Sequence, residues 1–190
     1  MAKKSSSYMG AGMLLILYLV LMPMLSIAVM TGAFQGLTFK IYFSHLEWKT
    51  MIWYGAMALT ALLCFGKALV DELIPDIALV GLFGLIALVE ILGLFGGELS
   101  SMYGVSKFRI LLSNLLSIGV FGSMAGLIFL KDAFGEFYFA PAALKVVHII
   151  VNALLYMFSH VGFMMVLMLL IGEILLAWGL LLLGKAVTNN

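Results

Sequence analysis

The sequence predicts an all-α integral membrane protein of about six transmembrane helices, with five as the alternative. Three observations carry this expectation. Of the 190 residues, 65% are hydrophobic and 10% charged, with a mean hydropathy of +1.22, whereas an average soluble domain is about a quarter charged. So few polar side chains cannot coat a globule in water, so most of the surface must face lipid. Apolar runs of about 20 residues, the length that crosses a bilayer, recur along the chain between short charged and aromatic connections. Finally, residues 142–185 are one apolar region. As a single helix it would measure about 66 Å, roughly twice the hydrocarbon thickness, so it must be broken.

Composition also excludes whole classes of function. The net charge is +1, from ten basic and nine acidic residues; there is no basic field for nucleic acid. The single cysteine, Cys64, lies in an apolar run, which rules out an intrachain disulfide and any cysteine-based zinc or iron–sulfur site. Most of the fourteen methionines stand inside apolar runs such as LMPML and GFMMVLMLL, where flexible packing explains them better than soft-metal ligation.

Taken in order, the chain opens on a short polar leader, MAKKSSS, and then the run 9–34. That run is too long for a signal peptide and lacks a small-residue cleavage site, so it reads as an uncleaved first span. Pro23 near its middle removes a backbone donor. Residues 35–50 mix Lys40, His45, Glu47, Trp48 and Lys49 with aromatics, as expected of an interfacial loop or surface helix. The second span is 51–70, with Trp53 and Tyr54 as interface anchors and Lys67 placed to snorkel. A charged turn, DELIPD, leads to the third span at 77–97. The fourth runs from about 108 to 130 and contains GSMAG, a GxxxG pattern read as a close helix contact. After the connection 131–145, with Pro141 suited to a first helical turn, the fifth span is expected at about 141–158 and the sixth at about 162–184. Ser159-His160-Val161-Gly162 is the break between them.

With the N-terminus inside, Lys3, Lys4, Lys67, Lys131, Lys145 and Lys185 fall on the cytoplasmic side and Lys40, Lys49, Lys107 and Arg109 on the other. This bias points to a prokaryotic plasma membrane protein with both termini cytoplasmic. The chain reads as a single transmembrane domain, 1–190, whose stretches 9–97 and 108–186 echo one another. Ala33-Phe34, Tyr42-Phe43 and Lys49 are matched, with gaps, by Ala133-Phe134, Tyr138-Phe139 and Lys145. Two three-span halves would be inverted relative to each other, as in many secondary transporters.

Chemistry centres on two lone carboxylates inside spans, Glu90 in EILGLFGG and Glu173 in EILLAWGL. A carboxylate in hydrocarbon must be protonated, paired or facing water, and such residues mark ion and proton pathways. The competing reading is a hydrogen bond to a neighbouring helix or subunit. Glu173, nearer the middle of its helix, is the stronger candidate. Partners are sought among Lys67, Arg109, Asn114, His148, Asn152 and His160. Arg109, the only arginine, opens the fourth span and reads first as a topological anchor. His148 and Asn152 are four residues apart and share a helix face, a polar patch suited to a pathway or to bonding an adjacent helix.

No cofactor is expected. His45, His148 and His160 do not readily meet at one depth for bis-histidine haem ligation. No GxSxG, Walker A or HExxH pattern occurs, so catalysis by this chain alone and a metal site are both unexpected. Glu90 followed by a lone arginine opening the next span, in LSSMYGVSKFRILLSNLL, resembles the arginine-bearing helix of rotary-ATPase stator subunits over less than a quarter of the chain. The spacing differs, and the second membrane arginine of the vacuolar and archaeal type is missing, so that family is not assigned. The leading expectation is a membrane subunit of a larger complex that takes part in proton or cation translocation through Glu90 and Glu173. Its partners would be the lipid bilayer and other membrane subunits. The alternatives are a small secondary transporter acting as a homodimer and a structural subunit that holds partner chains.

Overall fold

The computed structural model describes residues 2–31, 47–70, 74–95, 104–158 and 163–188. His45, His160, the acidic residues of the DELIPD turn before Ile74, and most of the segment expected at the interface lie outside them. The described elements are α1 (Ala2–Thr31), α2 (Trp48–Leu69), α3 (Asp76–Leu94), α4 (Gly104–Phe129), the short α5 (Lys131–Phe134), α6 (Ala140–Phe158) and α7 (Phe163–Thr188). A 3-10 turn at Gly135–Phe137 joins α5 to α6. Helix is the form in which an apolar segment satisfies its own backbone without water, and every long apolar run takes it.

Five helices, α1 to α4 and α7, are each long and apolar enough to cross a membrane. Helix α6, 19 residues and so about 28 Å long, makes a sixth candidate together with the elbow before it, which bends by 48°. Pro141 stands in its first turn, and the break expected at 159–162 lies outside the described residues, which resume at Phe163 with α7. Helix α1 starts earlier than expected because the polar leader is tied down: the Ser5 hydroxyl donates to the Ala68 carbonyl at the end of α2 (2.6 Å). It then continues through the buried Pro23.

The six long helices form a closed ring in chain order, each packing on the next and α7 returning to α1. Its outer face is apolar. Met13, Leu62, Leu88, Ile150 and Trp178 are all half exposed or more, the pattern of side chains that meet lipid. Its interior is filled by Leu15, Met57, Phe83, Phe121, Met124 and Leu176, none more than 1% exposed, with the rings of Phe83 and Phe121 stacked 6.2 Å apart. Cys64 is among the fully buried side chains.

One end of the ring is held by charge. Lys67 at the end of α2 is 4% exposed and does not snorkel as expected. Its ammonium lies 2.7 Å from Asp76 Oδ1 and donates to the Ile74 carbonyl, while Lys131 takes Asp76 Oδ2 at 2.6 Å. The Lys67 ammonium also stands over the Tyr8 ring of α1, 5.6 Å from its centre. Asp76 opens α3 and Lys67 closes α2, so each charge also suits the helix end on which it stands. This clamp gathers α1, α2, α3 and α5 at one end; the start of α2 and the end of α3 form the opposite, open end.

The GSMAG pattern is not a helix contact within the ring. A Cβ added at Gly119, Gly122 or Gly126 would meet no other atom within 4 Å, and Gly122 is exposed. The close approaches are made elsewhere. A Cβ at Gly184 of α7 would strike the Tyr138 carbonyl oxygen, and one at Gly172 would strike the Met22 side chain of α1. Backbone cannot swing aside as a methionine side chain can. Gly184→Ala is therefore expected to lower stability in detergent by about 1–3 kcal/mol. Gly122→Ala should leave it unchanged or raise it slightly through helix propensity. Thermal unfolding of the two variants checks both.

Candidate functional site

The antiparallel pairing of α3 with α4 fixes the depth of Glu90. Asp76 meets Lys131 at the clamp end, Glu90 meets Ser117, and Gly93 abuts Asn114 near the open end, all in one unbroken register. Glu90 thus lies about 21 Å along α3 from Asp76, and one turn from the helix's last residue, Leu94. Its Oε1 accepts a hydrogen bond from the Ser117 hydroxyl (3.0 Å).

One turn further along α4, on the same face, stands Ser113. It joins α4 to α6: its Oγ is 2.9 Å from His148 Nε2 and accepts from Asn152 Nδ2 at 3.3 Å. The expected sharing of a face by His148 and Asn152 is therefore realised, and the face is turned to α4. His148 Nδ1 lies 3.3 Å from the Lys145 ammonium, one turn back along α6. An ammonium only donates, so Nδ1 accepts and Nε2 carries the hydrogen given to Ser113. This geometry fits a neutral imidazole. Lys145, 5% exposed at its side chain, then forms an ion pair with Glu173 of α7.

The four helices α3, α4, α6 and α7 are thus stitched by a belt of polar side chains running from Glu90 through Ser117 and Ser113 to His148, Lys145 and Glu173. Lys145 and Lys49 both act electrostatically on Glu90, and His148 feels both Lys145 and Glu173. An i, i+4 step between two serines on α4 is the one place where no hydrogen bond carries the belt forward; side chains so spaced are about 5–6 Å apart at Cβ.

A cavity of about 370 Å³ reaches Glu90 from the open end. Tyr18, Trp53 and Tyr54 line it with Glu47, Lys49, Thr50 and Asn114. Trp53 was expected to anchor the chain at the interface, yet it turns inward. Its ring lies 5.7 Å from that of Tyr18 and 6.1 Å from that of Phe121. The outward anchor is Trp48, 55% exposed. Deeper toward the clamp end the bundle is closed by the stacked Phe83 and Phe121 and their apolar neighbours.

Of the candidate residues, the structure brings Glu173, His148 and Asn152 into one network and reaches Glu90 through Ser117. Arg109 is half buried one turn before Ser113 on α4. Asn114 lines the cavity and Lys67 belongs to the clamp. The direct partners of the two acids, Ser117 and Lys145, were not singled out from sequence. Lys145 carried a usable signal, since it stands one turn from His148 on the same helix face. Among the described residues no three His, Cys, Asp or Glu side chains gather as a set of metal ligands.

A buried ammonium and a largely buried carboxylate are each costly without the other. Lys145→Met and Glu173→Leu are each expected to destabilise the solubilised protein by about 1–3 kcal/mol. Combining Lys145→Met with Glu173→Leu should recover most of that loss, because no uncompensated charge remains. Additive losses in unfolding measurements on the three variants would show that the pair is not coupled. Comparison of the chain with protein-family models, with curated proteins and with solved structures found no match.

Proposed function

We propose that this protein moves protons or cations across its membrane through Glu90 and Glu173, as a membrane subunit working beside partner chains. The observation that carries the reading is the belt itself. Two carboxylates in apolar helices stand at the ends of a row of titratable and hydroxyl side chains, bonded from Glu173 to Ser113 and again from Ser117 to Glu90 with one unbonded step between the serines, and Glu90 opens onto a cavity at the bundle's end. Intramembrane ionisable groups are expensive and are kept where charge moves. A purely structural bond to a neighbouring helix needs one partner, not a chain of six residues across four helices.

The Lys145–Glu173 pair gives the belt its switch. When Glu173 takes up a proton, its attraction for Lys145 falls and the ammonium is free to engage His148 more fully. When Glu173 is ionised, Lys145 is held toward α7. A proton taken up by Glu90 from the cavity removes one of the two negative charges that act on Lys145, strengthens its pairing with ionised Glu173 and so favours release of the proton held by Glu173; uptake at one acid is balanced by release at the other. The clamp end carries Lys4, Lys67, Lys131 and Lys185, and the positive-inside bias of six cations to four supports reading that end as the cytoplasmic one. The cavity then faces outward.

A second reading is a secondary transporter built from two halves, α1–α3 and α4–α7. Two observations favour it. The most extensive helix pairings in the ring are α1 with α7 and α3 with α4, which exchange under a two-fold relation between the halves. The cavity is open on one side of the bundle and closed on the other by Phe83 and Phe121, as alternating access requires of one of its states.

In proteoliposomes loaded with a pH-sensitive dye, Glu173→Gln is expected to abolish proton or cation flux while leaving purification, helicity and subunit association intact. Flux at the unaltered rate in this variant would sink the translocation reading. Flux from the purified chain alone, with no partner subunit, would favour the transporter over the complex subunit.

A further inference from the structure

We propose that the cavity between α1, α2, α3 and α4 binds a small organic ammonium ion, with the Glu90 carboxylate as its counter-ion and the rings of Trp53, Tyr18 and Tyr54 as the wall against its apolar part. The inference names a substrate class for the site described above and rests on the reading of Glu90 as a charge-bearing residue.

Size comes first. A bare proton relay needs a file of waters, each occupying about 30 Å³, whereas this cavity measures about 370 Å³, within the range of small-molecule sites. Charge comes second. The lining places the Glu90 carboxylate inside the cavity, with the Glu47 carboxylate and the Lys49 ammonium also on its wall. An anionic ligand is disfavoured, and Glu90 is the acid that sits away from the rim.

The third observation separates an organic from an inorganic cation. Beside the carboxylates, the polar lining is Lys49, Thr50, Asn114 and the two tyrosines. Only two carboxylates, Glu47 and Glu90, stand in that lining, and among the described residues no three His, Cys, Asp or Glu side chains gather as the ligands of a divalent metal. What the cavity offers instead is aromatic surface. Trp53 packs on Tyr18 at 5.7 Å and edge-on against Tyr54 at 5.4 Å, so the three rings form one continuous group. Aromatic faces attract ammonium ions, quaternary ones included, and stabilise them more strongly when water is excluded. A cation already stands against an indole at the rim, where the Lys49 ammonium lies 5.8 Å from the centre of the Trp48 ring. Glu90 has Ser117 on Oε1, a bond that orients the carboxylate. The same chemistry is presented by a free amine and by the headgroup of a choline or ethanolamine lipid, and the cavity suits the ammonium of either.

The test uses the full-length chain in dodecyl maltoside, titrated with benzyltrimethylammonium and read by calorimetry and by tryptophan fluorescence. Saturable binding is expected, weakened at least tenfold by Glu90→Gln and by Trp53→Leu. Glu90→Asp, which keeps the charge, should weaken it less than Glu90→Gln, and Leu62→Ala, on the exposed outer face of α2, should leave it unchanged. The neutral analogue neopentylbenzene should not compete. Repeating the titration in phosphatidylcholine and in phosphatidylglycerol nanodiscs distinguishes the sources: weaker probe binding in phosphatidylcholine assigns the site to a lipid headgroup, and equal binding assigns it to a free amine. No saturable binding, equal affinity in Glu90→Gln, or equal competition by the neutral analogue would overturn the proposal. Absence of ammonium binding with flux intact would remove this inference alone, whereas binding with no flux would remove the translocation reading and leave the site.

Discussion

A charge inside hydrocarbon must find its partner inside the protein, and that constraint shapes this bundle more than any other. Lys145 and Glu173 could not lie where they do unless α6 and α7 were held side by side at the right depth. The same holds for Glu90 and Ser117 across α3 and α4, and for Lys67, Asp76 and Lys131 at the clamp end. In water these contacts would be worth little. In lipid a wrong register would leave an unpaired charge buried, at a cost of several kcal/mol. Apolar side chains make the helices and fill the ring, but they pack almost equally well at neighbouring registers. The polar pairs select one.

The two polar layers divide the labour. The clamp layer uses both oxygens of Asp76, each on its own lysine, and places Lys67 against Tyr8, so its groups are fully engaged in joining helices. The belt is less saturated. It contains an imidazole between a hydroxyl and an ammonium, a serine step with no hydrogen bond across it, and a carboxylate that opens onto a cavity. Those are the features by which protonation at one point can alter contacts at another. Between the layers, Phe83, Phe121 and their neighbours fill the interior with apolar side chains; under the proposed function, coupling between the two acids would run through the belt and not through that layer.

Much of this fold was legible in the chain because the length of an apolar run is a direct record of bilayer thickness. The spans, the place of Pro141 and the burial of Cys64 all follow from it. Glu90 and Glu173 stood out for the same reason, as lone acids in apolar runs. What composition conceals is azimuth. In a helix such as α7, apolar on nearly every side, nothing in the sequence tells the lipid face from the inner face. The glycines of GSMAG were therefore read as a contact although they face outward, and Trp53 as an anchor although it turns inward. Lys145 was read only as a cytoplasmic charge, since its pairing with Glu173 depends on the register of two helices that no local pattern encodes. Ser113 and Ser117 are common residues whose importance comes entirely from what stands opposite them.

That Glu90 and Glu173 are parts of one connected charge system, and not two separate helix bonds, is tested most directly by infrared titration of the carboxyl bands with isotope-edited glutamate. The midpoint of Glu173 is measured in the unaltered protein and in Glu90→Gln. A connected belt requires the Glu173 midpoint to move when Glu90 is neutralised, and the movement to vanish when Lys145 is also replaced by methionine. A Glu173 midpoint indifferent to Glu90 would contradict it.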